Sequence, residues 1–159
     1  MKIIYIADFT LPTNRAYAIH VFKMLDAFGD HGSKSQLFIP YYDKKNFKKT
    51  INFFDLKNLT SIKINRIFKK RINLNFINRI FFGYKTARRL KYLDNNSLII
   101  TRSLMASIFL TVFKIKHFLE IHQEIRGLTK FFLINMNFIN SKFIISNIFV
   151  SRSLANYYR

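Results

Sequence analysis

Residues 2–40 read KIIYIADFTLPTNRAYAIHVFKMLDAFGDHGSKSQLFIP, and their order of apolar and polar positions decides the fold class. Lys2 to Ala7 is a short β-branched run ending at Asp8, which predicts a buried strand. Phe9 to Arg15 holds Pro12, Thr13 and Asn14 and reads as a loop. Ala16 to Phe28 then sets Ala18, Val21, Phe22, Leu25 and Phe28 on one helical face. Gly29 and Gly32 predict its stop. Gln36 to Ile39, closed by Pro40, is a second strand. Strand, helix and strand in that order have a parallel βαβ unit as their simplest geometry.

The same alternation continues outward. Tyr41 to Leu59 is Lys-rich, loop-like, with room for a helical turn or two. Thr60 to Phe68 alternates Ile62, Ile64 and Ile67 with polar residues and predicts a third strand. Ile72 to Leu93 carries the clearest helical spacing, through Ile72, Phe76, Ile80, Tyr84, Ala87 and Leu90, and Asp94-Asn95-Asn96 ends it. Leu98–Thr101 is a fourth strand, Ser103–Phe113 a helix, and His117–Ile121 a fifth strand. Leu128–Phe138 reads as a helix, Lys142–Val150 as a sixth strand, and Ser151–Arg159 as the start of a last helix. Residues 1–159 therefore predict one α/β domain, a Rossmann-like, doubly wound, mostly parallel sheet with helices on both faces.

Composition narrows the function classes. Half of the 159 residues are hydrophobic, too many for a disordered basic tail. With no Cys there is no disulfide scaffold, thiolate zinc site or cysteine nucleophile, and a reducing compartment suits the chain. The uncharged runs at residues 103–113, 131–141 and 143–151 fall short of the roughly 18–20 residues that cross a bilayer. Residues 3–7 are too short for the apolar core of a signal peptide. The chain reads as cytoplasmic.

Open parallel sheets bind ligands beyond the carboxyl ends of their strands. That rule selects Asp8 and the Leu11-Pro12-Thr13-Asn14-Arg15 loop, Thr101-Arg102-Ser103, His122-Gln123-Glu124 and Ser151-Arg152-Ser153. No G-x-G-x-x-G or Walker A pattern is present, which argues against a dinucleotide or P-loop site. The first loop still feeds a helix N-terminus, where free N–H groups favour an anion and Asn14 and Arg15 add donors. Equally, Asn14 could simply cap the helix and Arg15 be a solvated charge. Arg102 could grip a phosphate or carboxylate, or close the sheet edge. Strand alternation sends Glu120 and His122 to one face, where His122 could donate to a hydroxyl, hold a phosphate, or act as acid or base. His20 and His31 read as ordinary helix and turn residues. No second ligand stands at metal spacing, so no metal is expected.

The charge balance is 27 Lys and Arg against 8 Asp and Glu, a net +19, in a composition biased to Lys, Asn, Ile and Phe. Between Lys44 and Arg89 the only acid is Asp55. Lys69, Lys70, Arg71, Arg79, Lys85, Arg88 and Arg89, interleaved with aromatic residues, form a candidate patch for an anionic membrane surface. The alternative is a solvated outer helix face. Nucleic acid ranks below both, because no helix-turn-helix or RNP pattern accompanies the charge.

Four segments, in order, resemble the N-terminal domain of family-4-type GT-B retaining glycosyltransferases. The opening quoted above is similar to that family's first βαβ unit, and Leu11 to Phe28 is close to the subgroup pattern SLPTNRAxxIQVMKMxxAF. LIITRSLMASIFL (98–110) resembles its VYTRS strand and helix, KHFLEIHQEIRG (116–127) its V-x-E-x-H segment, and FIISNIFVSRSLANYYR (143–159) its IVAISEALRxxL segment. The resemblance spans nearly the whole chain. It implies the acceptor-binding half of an enzyme that moves a sugar from a nucleotide-sugar to a glycan or glycolipid in polysaccharide biosynthesis. A separate C-terminal domain, carrying paired glutamates, would hold most of the donor. The donor is a substrate, and no further cofactor is implied. His122 would be the candidate catalytic residue, touching the transferred sugar. Pro12, Thr13, Asn14 and Arg15 would approach donor phosphates and acceptor, and Arg102 and Glu120 match motif positions. The glycine pair that many members place in the first loop is missing, with Asn14 and Arg15 in its stead. With one cleft wall present, the expectation is inactivity alone. The alternatives are a non-catalytic basic module on the inner membrane face, or a truncated remnant without function.

Overall fold

The computed structural model describes residues 1–43, 52, 54–92 and 96–158. The chain runs β1 (Lys2–Ile6), β2 (Thr10–Leu11), α1 (Ala16–Asp30), β3 (Lys34–Ile39), β4 (Tyr41–Tyr42) and β5 (Ile62–Arg66). It continues through α2 (Phe76–Leu90), β6 (Ser97–Thr101), α3 (Leu104–Val112), β7 (His117–Ile121), α4 (Gly127–Lys130), β8 (Ile144–Phe149) and α5 (Arg152–Tyr157). Six strands pair in the order β5-β3-β1-β6-β7-β8, every pair parallel. Counting only these long strands, the order is that of the doubly wound Rossmann sheet.

The centre of the sheet explains why β1 is an unbroken apolar run. Ile3 and Tyr5 pack with Val21, Phe22 and Leu25 of α1 on one face. Ile4 and Ile6 pack with Phe82 and Leu90 of α2 and Ala106 and Leu110 of α3 on the other. A strand covered on both faces has no solvent side to mark with polar residues. A third cluster joins Leu119 and Ile121 of β7 to Met105, Ile108 and Leu133.

Four expectations need correction. The first loop is not wholly irregular: β2 pairs with β4, Thr10 opposite Tyr41, and the Leu11–Pro12 peptide is cis. Helix α1 is capped by Arg15, not Asn14, and without a side-chain bond. It also runs through Gly29, ending before Gly32, whose φ is +70°.

Helix α2 starts later than expected, and of the spaced apolar residues only Ala87 and Leu90 are fully in its buried face. Asn75 caps it by accepting from the Asn78 N–H at 2.9 Å, so Ile72 lies outside. The buried face is Phe82, Gly83, Thr86, Ala87 and Leu90, whereas Phe76 and Tyr84 are more than a third exposed. The cause is close helix packing: a Cβ on Gly83 would stand 2.8 Å from the Met105 carbonyl carbon and oxygen of α3. Small residues, not large apolar ones, mark that contact.

Residues 128–138 are not one helix. α4 widens into a π-helical turn (Phe131–Asn135), and Asn137, at φ +56°, ends it before a 3₁₀ turn (Phe138–Asn140). The terminator Asp94-Asn95 and most of the Lys-rich stretch (residues 44–51 and 53) lie outside the described residues. Among the described residues, no helix is long and apolar enough to cross a membrane.

Candidate functional site

The sheet order reverses between β1 and β6, so the chains leaving these two strands diverge there. The Arg102 N–H donates to the Ile6 carbonyl at 2.9 Å, and the Ala7 N–H to Phe38 at 3.0 Å. Asp8 and Arg102 are thereby set side by side at the carboxyl end of the sheet. A cleft of about 740 Å³ opens above them. Asp8, Arg15, Arg102 and His122 line it with the apolar groups of Tyr17 and Phe76.

Arg102 organises the cleft floor. It is 9% exposed. Its Nε–H donates to His122 Nδ1 at 3.1 Å, and Nη1 to the Tyr17 carbonyl at 3.3 Å. Glu120 Oε1 stands 3.7 Å from Arg102 Nε and 3.7 Å from His20 Nε2. Glu120 Oε2 accepts from the Tyr5 hydroxyl. A buried carboxylate needs such partners, since an unpaired charge out of water is severely penalised. Burial, and then the adjacent Glu120 charge, pushes the Tyr5 phenol up, so it stays a donor.

This arrangement settles the state of His122. Burial chiefly, with the Arg102 cation next, holds its pKa below the usual histidine value, against the opposing pull of Glu120. Guanidinium can only donate, so Nδ1 of the neutral ring must accept and the proton sits on Nε2. His122 therefore offers an N–H donor.

The other polar groups pair across the cleft wall. Arg79 Nη1 lies 3.3 Å from Asp8 Oδ2. Burial raises the Asp8 carboxyl above its ordinary range, and Arg79 opposes that rise. Arg126 meets Glu124 with both Nε and Nη2, at 3.1 and 2.8 Å.

Of the residues expected at the site, Arg102, Glu120 and His122 are brought together and Arg15 lines the cleft. Pro12, Thr13 and Asn14 do not line it; Thr13 Oγ1 accepts from the Arg15 N–H at 3.3 Å. Arg79, read above as part of a membrane patch, also lines the cleft. Tyr5 and His20 join the cluster unannounced, because their positions opposite Glu120 depend on contacts across the sheet. Among the described residues, no group of three or more His, Asp or Glu could hold a metal ion.

Comparison with family models, with curated proteins and with solved structures finds no match to this chain.

Proposed function

We propose that this chain is the acceptor-side half of a glycosyltransferase that moves a sugar from a nucleotide-sugar to a glycan or glycolipid. The observation that carries the reading is His122, held by Arg102 as a neutral Nε2–H donor at the switch-point cleft. A sugar presents hydroxyl oxygens, and a donor of fixed tautomer positions one of them without offering a competing base. Phe76 and Tyr17 add aromatic surface in the same cleft, suited to the C–H face of a pyranose ring. Exposed Leu128 and Phe131 beside it supply apolar surface for a second, donor-holding domain.

The test is reconstitution. The coding sequence after the Arg159 codon is read for a second Rossmann-like domain with two glutamates about two helical turns apart. The two parts are produced together, and release of nucleoside diphosphate from a nucleotide-sugar panel is measured. Turnover that His122→Ala abolishes is the expected result. A following sequence with no such domain, together with no glycan binding by this chain, refutes the reading.

A second reading, docking on an anionic membrane, is favoured by the outer face of α2. Ile77 and Phe81, 61% and 51% exposed, share about a quarter of the helix circumference with Lys85 and Arg88. Each well-placed cation adds about 1 kcal/mol on an anionic surface. Phe81→Ser with Arg88→Gln should lower partition onto phosphatidylglycerol vesicles at least about tenfold. Unchanged partition removes this reading.

A further inference from the structure

We infer that the ligand taken by the switch-point cleft is an acidic glycan, with a carboxylate or phosphodiester beside the sugar hydroxyl that meets His122. This rests on the glycosyltransferase reading and names the acceptor class within it. Four arginines line the cleft, Arg15, Arg79, Arg102 and Arg126, against Asp8 and Glu124. Glu120 lies behind Arg102, so one positive charge is left over when every carboxylate is counted.

The surplus has a location. Arg79 is committed to Asp8, Arg126 to Glu124, and Arg102 to Glu120, His122 and the Tyr17 carbonyl. Arg15 makes no such side-chain commitment: among the described residues its hydrogen bonds use the backbone N–H and carbonyl. Arg15, an exposed residue, lines the cleft with Tyr17 at the opening of α1. A planar fork of donors matches a carboxylate or a phosphodiester, each carrying one negative charge. A neutral glycan would leave that cation unanswered within the cleft.

The cleft geometry also favours a glycan over a bare anion. Aromatic and apolar groups, Tyr17, Phe76 and Leu104, line the same cleft as Arg15 and His122. A small inorganic anion would leave that surface in water. A sugar ring covers it while its acidic substituent reaches Arg15.

The experiment titrates the full chain with three probes by calorimetry: trigalacturonate, a trimer of glycerol phosphate-linked galactose, and neutral galactotriose. One or both acidic probes should bind more tightly than galactotriose, with affinity falling as salt rises. The stronger acidic arm tells carboxylate from phosphodiester. Arg15→Gln should cost that arm about tenfold or more, the effect of losing a charged hydrogen bond, and leave galactotriose unchanged. Lys142→Gln, at an exposed lysine outside the cleft lining, serves as a control expected to change little. Equal affinity for acidic and neutral probes overturns the inference and leaves the transferase reading intact. Binding of uridine diphosphate alone, lost in Arg15→Gln, also overturns it by assigning Arg15 to the donor diphosphate. Binding of no glycan and no nucleotide overturns this inference and counts against the transferase reading as well.

Discussion

Arg102→Met tests the buried ion pair on which the cleft floor is built. Arg102 and Glu120 side chains are 9% and 4% exposed, with Nε and Oε1 3.7 Å apart. At an effective dielectric constant of about 20, unit charges at that separation attract by about 4–5 kcal/mol. Removing one partner of a buried pair costs about 3–5 kcal/mol, because the other is left uncompensated. Here the lower end applies, since Glu120 keeps the Tyr5 hydroxyl and the partly exposed His20. We therefore expect a loss of about 3 kcal/mol, out of a total near 5–15 kcal/mol for a domain. In urea, with a slope of about 2 kcal/mol per molar, the midpoint should fall by about 1.5 M. Circular dichroism at pH 7 reads it directly. Adding Glu120→Gln removes the stranded charge while its amide oxygen still accepts from Tyr5, so the double variant should regain part of the loss. Arg126→Gln, which breaks only an exposed pair with Glu124, should leave the midpoint where it was. If Arg102→Met is as harmless as Arg126→Gln, or the double variant is no better than the single, the pair does not hold the floor together as argued.

Three further outcomes follow from other parts of the fold. His117 is fully buried, its Nδ1–H donating to the Ile115 carbonyl and Nε2 accepting from Ser107, and burial lowers its pKa to about 4. The unfolded chain then binds a proton below pH 6.5 that the folded chain refuses until about pH 4, so stability falls as pH drops through that window, by about 3 kcal/mol in all. Urea midpoints of His117→Asn should decline less steeply between pH 7 and pH 4; parallel curves would contradict the assignment. Gly83→Ala pushes a methyl into the Met105 backbone at 2.8 Å; an overpacking cost of about 1–3 kcal/mol, less about 1 kcal/mol of gained helix propensity, leaves a net loss, read as a lower thermal midpoint. Ser103→Ala deletes the cap that accepts from the Ala106 N–H at 3.3 Å, and should cost about 1 kcal/mol in the same melt.

The parts of this fold that the sequence announces are those fixed by local pattern. β1 is legible because a continuous apolar run ends near a polar residue where the strand ends. α1 is legible because its apolar positions hold one face through Leu25. The rotation of α2 is not legible, since its seating depends on how closely another backbone can approach. Gly83, Thr86 and Ala87 lie against α3, and a search for large apolar residues passes over them. Phe76 and Arg79, read together on the basic, aromatic side of the helix, both line the cleft, where Arg79 meets Asp8.

The candidate site divides along the same physical line. Glu120 and His122 share a face by strand period, and Arg102 follows a neighbouring strand, so their meeting follows from sheet topology. Tyr5 and His20 are 115 and 100 positions from Glu120, and only the completed β1-β6-β7 order brings them to it. Tyr5 bears on the contact between Arg102 and His122 through Glu120. Tyr5 holds one oxygen of Glu120, and the other stays near Arg102 as a charge partner without a hydrogen bond of its own. Arg102 Nε is therefore left to donate to His122 Nδ1, and the imidazole proton is forced to Nε2. The chemistry of the half-buried histidine is thus tied to a tyrosine buried in the first strand, which no local reading of either segment connects.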